Sequence, residues 1–393
     1  MPKILLVIDV IDKGGAEKVL TKLGERLCKD NKVVITSIKP PTKEGCRLLE
    51  KHGLDYTTSG INTFGIVGQI RFTFFLSKLI KFRKIEHVIS FLERSNVASV
   101  MAVKLSNENV KISCNVRNVL SQQYKKIPNP LINYLLRRFV GFFYNKANHI
   151  ITNSNGIKYD LNSKFFVNND IISVVFNTYN FKDKCSNSGT TQLDSLVKDD
   201  KVVYFGGMGR FEAQKDFFTL IKTYAKFLDD YDIESKLVLA GDGPLLYQLK
   251  SLVNDLNLDE RVIFVGYVNP SQKFFDLIDC FILSSRFEGF PNVLAESLIY
   301  CPLSISVDCM SGPREILSAL SYTDYTSKID EITYFDLGCL VPLSSECEVN
   351  EQLAIAMYNT ILNKSDSMKN KDISFLNDKG FEKKWSKALE IKI

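Results

Sequence analysis

The sequence has few histidines and no closely paired cysteines. Its three histidines, His52, His87 and His149, are far apart in the 393 residues, and its nine cysteines include no C-x-x-C pair. Zinc sites need clustered His or Cys ligands, and a Ser-His-Asp triad needs a placed histidine, so neither kind of site is expected. An odd number of scattered cysteines is typical of reduced thiols, which predicts a cytoplasmic protein without disulfides.

Long apolar runs are also missing. The first run ends at Asp9, too soon for a signal peptide or a membrane span, and no later segment supplies an uninterrupted span. With 45% hydrophobic and 24% charged residues, the composition is that of a globular protein. Because one hydrophobic core stops growing at roughly 250 to 300 residues, the chain is expected to form two domains.

Short apolar runs alternate with helical patterns, which predicts an α/β protein with two Rossmann-like, parallel-sheet domains. The predicted strands are 3–10, 32–38, 87–91, 110–116, 149–154, 171–177, 201–209, 236–243, 261–268, 279–285, 302–308 and 338–343. The expected domains are 1–182 and 201–375, joined by a polar linker at 183–200. A last segment, 376–393, contains the only tryptophan, Trp385, and either docks back on the first domain or is a simple terminal helix. A ligand is expected in the crevice between the domains.

The stretch SSRFEGFPNVLAESL, residues 284–298, places two glutamates around a turn. Glu288 follows a buried strand, and Glu296 lies a little over one turn into a helix that Pro291 is expected to open. Ligands of open parallel sheets bind at the carboxyl ends of the strands, beside helix N-termini. Each glutamate alone is best interpreted as a solvated surface acid, but the pair around Gly-Phe-Pro favours a site.

The stretch GGMGRFEAQKDFFTL, residues 206–220, brings Arg210 and Lys215 to another strand end. A planar guanidinium and a mobile ammonium suit a diphosphate. Cations at a helix start oppose the helix dipole, which favours an external anion over two solvated surface cations. Gly14 and Gly15, at the start of the first helix, likewise allow backbone N–H groups to approach an anion. Neither stretch has the G-x-G-x-x-G dinucleotide pattern.

Six motifs, in this order and spacing, resemble the retaining glycosyltransferases of family 4, which have the GT-B fold. They are GGAEKVL, GRFEAQKDF, LVLAGDGPLL, VIFVGYV, EGFPNVLAE and DCMSGPREI. The resemblance covers essentially the whole chain and implies two Rossmann-like domains facing an interdomain cleft. It also implies transfer of a hexose or N-acetylhexosamine from a UDP-sugar to a saccharide acceptor, with no cofactor and no metal ion.

The same resemblance assigns roles to residues. It implies that Arg210 and Lys215 hold the diphosphate and that Glu288 faces the donor sugar, as the catalytic groups. The further substrate contacts that it implies are Gly14, Gly15, Arg117, Asn118, Gly209, Tyr267, Val268, Gly289, Phe290, Pro291, Asn292 and Glu296. Among these, Glu296 would bind the ribose hydroxyls, and the base would lie near Tyr267.

Two motifs depart from the family pattern. Many relatives carry a histidine after the fourth strand of the first domain, but this chain has SCNVRN, so Asn115, Arg117 or Asn118 takes that place. The run FNTYN, residues 176–180, replaces the usual Asn-Gly pair, which leaves Asn177 as the matching residue.

Acidic residues are missing from two long stretches of the first domain, 56–85 and 112–146. The segment RFTFFLSKLIKFRK mixes five cations with aromatic residues, and the net charge of +5 is expected to concentrate in this domain. Basic amphipathic helices suit an anionic membrane, or else they bury one face and solvate their Lys and Arg side chains. The first alternative predicts a peripheral protein at the inner membrane with a polyprenyl-diphosphate-linked acceptor, in O-antigen or capsule type polysaccharide synthesis. No nucleic-acid-binding module is recognisable.

Two other classes of function stay open. One is a non-catalytic protein that binds nucleotide sugars. The other is a different GT-B enzyme, such as an epimerase or a phosphorylase. The scarcity of histidine and the lack of a lysine context for pyridoxal phosphate argue against the second class.

Overall fold

The computed structural model describes residues 1–12, 14–63, 65–179, 193, 196–268, 272–301, 303–363 and 372–393. These residues form two compact units. Unit 1 comprises Met1–Asn177 and Asp378–Ile393, and unit 2 comprises Thr178–Asn377. Most of the predicted linker, 183–200, lies outside the described residues. Each unit contains a sheet dominated by parallel strands, which confirms the predicted α/β class.

Unit 1 contains a six-stranded parallel sheet and helices on both of its faces. Its strands are β1 (Lys3–Ile8), β2 (Lys32–Ser37), β3 (His87–Phe91), β4 (Lys111–Val116), β5 (His149–Thr152) and β6 (Ile172–Val174). Its helices are α1 (Gly15–Leu27), α2 (Lys43–Lys51), α3 (Ile66–Arg83), α4 (Glu93–Ser106), α5 (Leu120–Tyr124), α6 (Pro130–Tyr144), α7 (Asn155–Phe165) and α14 (Phe381–Leu389). The strand order is β2-β1-β3-β4-β5-β6.

The side chains of each strand in unit 1 enter two apolar layers in turn, because successive side chains of a strand point to opposite faces of the sheet. Leu5 and Val7 of β1 pack with side chains of α3, α4, α6 and α7. Ile4, Leu6 and Ile8 pack with side chains of α1, α2 and α14. The sheet is therefore the middle of three layers. The loops that follow the strands lie at its carboxyl edge.

The terminal helix α14 completes one of these layers. The ring of its buried Trp385 lies 6.4 Å from the ring of Phe91. Ion pairs hold the segment to α1: Lys22 contacts Asp378 at 2.9 Å, and Arg26 contacts Glu382 at 3.2 Å. Residues 378–393 therefore belong to the fold of unit 1, although they follow unit 2 in sequence.

His87, the first residue of β3, makes the stability of unit 1 depend on pH. Burial, aided by the charges of His149 and Lys111, lowers the pKa of His87 to about 4. Its Nε2 lies 2.8 Å from the hydroxyl of Ser113, and its buried Nδ1 has no hydrogen-bond partner among the described residues. A protonated ring would therefore place an unsatisfied N–H in the core.

We expect unit 1 to lose about 2 to 3 kcal/mol of unfolding free energy through His87 between pH 7 and pH 4.5. In the unfolded chain a histidine takes up its proton near pH 6.5, whereas the folded ring does so only at about pH 4. The stability that the neutral ring contributes is thus complete above pH 6.5 and is lost as the pH falls toward 4. Urea unfolding followed by the fluorescence of Trp385, the only tryptophan, measures this loss.

His87→Gln should flatten this pH dependence, because glutamine does not titrate. His52→Gln is the matched control, since His52 pairs with Glu25 outside the core. Parallel pH profiles for the wild type and His87→Gln would contradict the assignment.

Unit 2 contains a seven-stranded sheet. Its strands are β7 (Val203–Met208), β8 (Ser235–Ala240), β9 (Val262–Gly266), β10 (Cys280–Leu283), β11 (Leu303–Val307), β12 (Thr333–Phe335) and β13 (Gly338–Val341). Its helices are α8 (Phe217–Asp230), α9 (Leu246–Asp255), α10 (Gln272–Leu277), α11 (Asn292–Tyr300), α12 (Gly312–Leu317) and α13 (Glu351–Leu362). The strand order is β12-β13-β11-β10-β7-β8-β9, and only the pair β12–β13 is antiparallel among the described strands.

All twelve predicted strands are present, and most of them end one to three residues earlier than predicted. The additional strand β12 is absent from the sequence prediction, and it adds one antiparallel strand to the predicted parallel sheet. Strand β12 has three residues, and its central Tyr334 is exposed. A strand that is short and open to solvent leaves no apolar run to detect.

The loops at the carboxyl edge of unit 2 approach one another closely. A Cβ on Gly241, which follows β8 with φ 148°, would lie 1.9 Å from the carbonyl oxygen of Gly209 after β7. The N–H of Gly241 donates to the carbonyl of Gly266 at the end of β9, at 2.7 Å. Glycine is required at position 241 because both the positive φ and the contact exclude a side chain.

Candidate active site

The candidate site of unit 2 begins with the loops after β7 and β10, which are neighbouring parallel strands. The carboxyl ends of such strands lie at one edge of the sheet. At this edge, the Nζ of Lys215 lies 2.5 Å from the Oε1 of Glu288, with 15% and 9% of the two side chains exposed. The structure thus brings together the cation and the carboxylate predicted from two separate motifs.

Three hydrogen bonds hold these two loops together. The side-chain amide of Gln214 donates to the carbonyl of Phe287, and the N–H of Arg286 donates to the carbonyl of Gln214, both at 2.8 Å. The hydroxyl of Ser284 donates to the carbonyl of Lys215 at 2.7 Å. The ion pair is therefore fixed by the backbone on both sides, so its charges are oriented before any ligand binds.

The loop after β11 packs against Gly289. The hydroxyl of Ser311 and the N–H of Gly312 both donate to the carbonyl of Gly289, at 3.1 and 2.9 Å. A Cβ on Gly312 would lie 2.2 Å from that oxygen. The same loop is tied down by buried Arg314, whose Nε and Nη2 each donate to the carboxylate of Asp308 at 2.6 Å. The turn that follows Glu288 therefore has a rigid support.

Helix α11 begins at the EGFPN turn. Phe290, which is buried, precedes the helix, and Glu296 lies within it. Pro291 is the N-cap of α11 with an extended ψ of 110°, so the prediction that this proline opens the helix is wrong by one residue. The hydroxyl of Tyr179 donates to the Oδ1 of Asn292 at 2.7 Å and orients that amide. Half-buried Glu296 has no hydrogen-bond or ion-pair partner for its carboxylate among the described residues. No side-chain cap hydrogen bond is present at this end of α11 among the described residues.

Arg210 lies apart from the ion pair. Its side chain is 69% exposed, and its Nε lies 3.7 Å from the carboxylate of Glu212, which is a weak surface contact. Gly209 lies next to Lys215, because a Cβ on Gly209 would be 3.3 Å from the Cε of that lysine. The sequence prediction placed both cations on one diphosphate, but only Lys215 is held in place by the protein.

Tyr267 and Val268 follow β9, two strands away from β7 in the sheet. Tyr267 is exposed and Val268 is buried. Their predicted position beside the base stays a prediction.

The N-terminus of α8 carries a cap made by the protein itself. Asp216, with φ 45°, accepts hydrogen bonds from the N–H and the hydroxyl of Thr219, at 3.3 and 2.9 Å. Lys215 precedes this cap in the short 3-10 turn Ala213–Lys215. The charge of Lys215 therefore lies just outside the capped end of α8, and its predicted contact with a diphosphate stays a prediction. The anion that faces Lys215 in the structure is Glu288.

In unit 1, Gly15 is the first residue of α1 and Gly14 is its N-cap. A Cβ on Gly14 would lie 2.3 Å from the Oε2 of Glu17, so this carboxylate folds over the turn. Burial raises the pKa of Glu17, and the nearby carboxylates of Asp12 and Asp9 raise it further. Acidic surroundings repel a phosphate, so the structure does not support an anion at Gly14, whereas exposed Gly15 stays accessible.

Arg117, at the end of β4, is packed into unit 1. Its Nη1 donates to the Oδ1 of Asn177 at 3.0 Å. Its guanidinium carbon lies 5.3 Å from the ring of Phe91 and 5.5 Å from that of Trp385. These contacts give Arg117 a structural function between β3, β6 and α14, and its predicted contact with substrate stays a prediction.

The other two candidates for the position of the family histidine differ in burial. Asn115 is fully buried, and its Nδ2 donates to the carbonyl of Ser90, which removes it from a ligand's reach. Asn118 is half-buried, and its Oδ1 accepts from the N–H of Val119 at 3.0 Å. Asn118 is the more accessible of the two.

Two more carboxyl groups lie at the carboxyl edge of the unit 1 sheet. The Oδ1 of Asp9 accepts from the N–H and the hydroxyl of Ser95, at 3.0 and 2.6 Å, and Glu93 accepts from the hydroxyl of Tyr124. Burial raises the pKa of both carboxyl groups. In the part of the chain that the structure describes, no three His, Cys, Asp or Glu side chains are grouped to hold a metal ion.

Comparison with known proteins decides the family. Residues 13–182 match the family model described as Glycosyltransferase Family 4, and residues 190–325 match Glycosyl transferases group 1. A glycosyltransferase of Methanocaldococcus jannaschii is 32% identical over 333 residues, which cover 81% of this chain and 78% of that protein. The chain is a family 4 glycosyltransferase.

Other similarities of this family 4 glycosyltransferase agree with that assignment. A Campylobacter jejuni protein is 28% identical over 320 residues, covering 80% of this chain and 83% of its own length. Its name describes an N-acetylgalactosaminyltransferase acting on N-acetylgalactosamine-N,N'-diacetylbacillosaminyl-diphospho-undecaprenol. The crystal structure of Anabaena HepE with UDP and glucose is 16% identical, with a TM-score of 0.70, and the match covers 98% of this chain and 100% of that chain. This likeness confirms the predicted GT-B fold. Family membership also favours a transferase over the non-catalytic and epimerase alternatives.

Sequence reasoning missed the residues that support the site of this glycosyltransferase. Gln214, Ser284 and Tyr179 each bond to a group distant in the chain, 73, 69 and 113 residues away. A bond between a side chain and a group remote in the chain leaves no periodic pattern. The only available signal was that Gln214 and Ser284 lie near Lys215 and Glu288 in the sequence, and that Tyr179 lies in the run FNTYN.

Proposed function

We propose that the protein is a retaining glycosyltransferase that moves a hexose or N-acetylhexosamine from a UDP-sugar to a lipid-linked saccharide. The observation that carries this proposal is the ion pair of Lys215 and Glu288, held at neighbouring strand ends just before the N-terminus of α11. The name of the Campylobacter relative and the UDP and glucose bound in the Anabaena structure support the classes of acceptor and donor.

Lys215 is proposed to stabilise the leaving diphosphate. Breaking the bond between the anomeric carbon and the phosphate oxygen places negative charge on the diphosphate, and a preoriented cation lowers the barrier where that charge develops. In this proposal the ammonium of Lys215 turns from Glu288 toward the phosphate, and exposed Arg210 adds a second cation. These two residues supply the positive charge, so the proposed reaction needs no metal ion.

Glu288 and the EGFPN turn are proposed to hold the donor sugar. The backbone of Gly289, Phe290 and Pro291 lies at the start of α11, where N–H groups favour anions and acceptor oxygens. Tyr179 fixes the amide of Asn292, and the unpaired carboxylate of Glu296 is suited to accept hydrogen bonds from the ribose hydroxyls. A phosphate oxygen of the leaving group takes the proton of the acceptor hydroxyl, which accords with retention of configuration.

The carboxyl edge of unit 1 is proposed to bind the saccharide acceptor. Buried Glu17 and half-buried Asp9 and Glu93 offer carboxyl oxygens there, and exposed Gly15 lets a ligand approach the backbone. Such oxygens accept hydrogen bonds from sugar hydroxyls, whereas they repel phosphate. We place the reaction at the inner, cytoplasmic face of a membrane, in bacterial surface polysaccharide synthesis.

Thermal unfolding with a panel of nucleotide sugars tests the donor. A UDP-sugar that binds only the folded protein should raise the melting temperature, whereas the matching GDP-sugar should not. Repeating the measurement with EDTA should leave the shift unchanged. The shifting UDP-sugar is then incubated with an undecaprenyl-diphosphate-linked saccharide, and the configuration of the new linkage is read by NMR. Lack of a shift with every UDP-sugar, or an inverted linkage, would contradict the proposal.

A further inference from the structure

Helix α6 of unit 1 exposes an unusual amount of apolar surface. Of its fifteen residues only Val140, Gly141 and Tyr144 are buried. Its exposed apolar and aromatic side chains are Leu131, Ile132, Tyr134, Leu135, Leu136, Phe139 and Phe142. A contiguous apolar patch of this kind is rare on a monomeric soluble protein and marks an interaction surface.

Helix α6 is fixed firmly to the body of unit 1. A Cβ on Gly141 would lie 1.8 Å from the carbonyl oxygen of Phe165, so α6 and the end of α7 are in direct backbone contact. The side-chain amide of Asn133 donates to the carbonyl of Tyr124 at 2.7 Å, and Arg137 donates to the carbonyl of Ser121 at 3.4 Å. Because the helix is anchored in this way, its apolar side is held outward.

The charge around α6 has one sign. Residues 109–159 contain no Asp or Glu. Lys125 and Lys126 precede the helix, and Lys146 follows it with its Nζ 5.2 Å from the ring of Phe142. Arg138 is exposed on the helix itself, with its guanidinium carbon 4.6 Å from the ring of Phe166. Cations that surround an apolar face complement anionic lipid headgroups above acyl chains.

Helix α3 also exposes apolar side chains. Helices α3 and α6 both pack against α4, in the same layer of unit 1. Along α3, Ile66, Ile70 and Phe74 are exposed at intervals of four residues, so they lie on one side of the helix. Exposed Arg71 and Lys78 lie on the same helix. Both helices thus expose apolar side chains in addition to Lys and Arg. No helix among the described residues is long and apolar enough to cross a membrane.

We infer that α6 inserts its exposed apolar side chains into the headgroup and upper acyl region of an anionic membrane, while α3 and the flanking lysines attract the surface. The positive charge and the lack of acids distinguish this occupant from a second copy of the chain, which would bring equally positive α6 helices together. The inference rests on the proposed function only for the purpose of membrane binding, which is to reach a lipid-linked acceptor. Binding to vesicles itself involves no transfer of sugar.

Co-sedimentation with vesicles tests the inference. The vesicles contain equal parts of phosphatidylglycerol and phosphatidylethanolamine, and pure phosphatidylcholine vesicles serve for comparison. We expect the full-length protein to bind the anionic vesicles at 0.15 M salt and to keep part of this binding at 0.5 M, where charge attraction is screened. The double variant Leu135→Ser, Phe139→Ser should lower the partition constant about tenfold or more, because two apolar side chains no longer insert.

The controls separate insertion of α6 from the loss of any exposed aromatic residue and from unfolding of unit 1. Tyr247→Ser removes an exposed aromatic residue of unit 2 and should bind as the wild type does. Fluorescence of Trp385 checks that unit 1 of each variant is folded. Wild-type binding by the double variant, or complete loss of wild-type binding at 0.5 M salt, would overturn insertion. A wild-type dimer in lipid-free ultracentrifugation that the double variant abolishes would also overturn it.

The sugar transfer assay distinguishes failure of this inference from failure of the proposed function. With a short-chain, water-soluble acceptor the double variant should transfer sugar at the wild-type rate, and its rate should fall only with an acceptor embedded in vesicles. If the wild type transfers no sugar to either acceptor, the proposed function fails, while the vesicle measurements still decide the inference.

Discussion

Lys215→Ala should lower the rate of sugar transfer by on the order of a hundredfold or more, because the variant lacks the cation proposed to stabilise the leaving diphosphate. Removal of one preoriented donor from a site of this kind typically costs about 3 kcal/mol of transition-state stabilisation. The loss should appear in kcat more than in KM, since the charge develops as the bond breaks. Steady-state kinetics with the UDP-sugar identified by thermal unfolding measure it.

Lys215→Ala also leaves buried Glu288 without its partner, which by itself destabilises unit 2. The double variant Lys215→Met, Glu288→Gln removes both charges, and it should regain stability while staying inactive. Lys226→Ala is the matched control, since Lys226 lies on the exposed side of α8 and pairs with Asp230. A folded Lys215→Ala protein that turns over within a few-fold of the wild type would rule out the proposed function of this residue.

Arg314→Met should destabilise unit 2 by about 3 to 5 kcal/mol, the usual cost of leaving one buried charge unpaired. Both side chains of the pair are buried, with 0% of Arg314 and 2% of Asp308 exposed. Arg314 also donates to the carbonyls of Asp324 and Ser327, at 2.6 and 2.7 Å, so the variant loses several contacts of the loop after β11. Urea unfolding followed by circular dichroism measures the change.

The single tryptophan shows which of the two units is destabilised. Unit 2 has no tryptophan, so Trp385 fluorescence reports on unit 1 alone and should show an unchanged transition for Arg314→Met. The double variant Arg314→Met, Asp308→Leu should recover most of the stability, because replacing both partners leaves no buried charge. Arg261→Met, which breaks an exposed pair with Glu234, should have little effect. A loss below about 1 kcal/mol for Arg314→Met would contradict the expected cost of a buried charge.

The fold was predictable because its strands are buried on both faces and therefore read as apolar runs. The meeting of Lys215 and Glu288 was also predictable, since both follow strands whose carboxyl ends share an edge. Strand β12 was not, because a short exposed strand has no apolar pattern. The packing of Arg117 was equally hidden, because it depends on Trp385, which is remote in sequence.

The cap of α8 shows a different limit. The sequence put Lys215 at the start of a helix, whereas α8 begins at Phe217 and Lys215 lies in the preceding 3-10 turn. Asp216 adopts a left-handed conformation that is uncommon for a residue other than glycine, so its position as N-cap could not be inferred from the pattern alone. Electrostatic arguments at helix ends therefore depend on knowing which residue is the cap.

The packing of α14 has a consequence for synthesis of the chain. Domains usually fold in the order in which they leave the ribosome, with the N-terminal domain first. Here the segment that covers Phe91 and the second apolar layer of unit 1 emerges only after all of unit 2 has been made. The earlier-made unit therefore keeps an uncovered apolar surface during translation, and a message truncated before residue 378 yields a complete unit 2 joined to an unfinished unit 1.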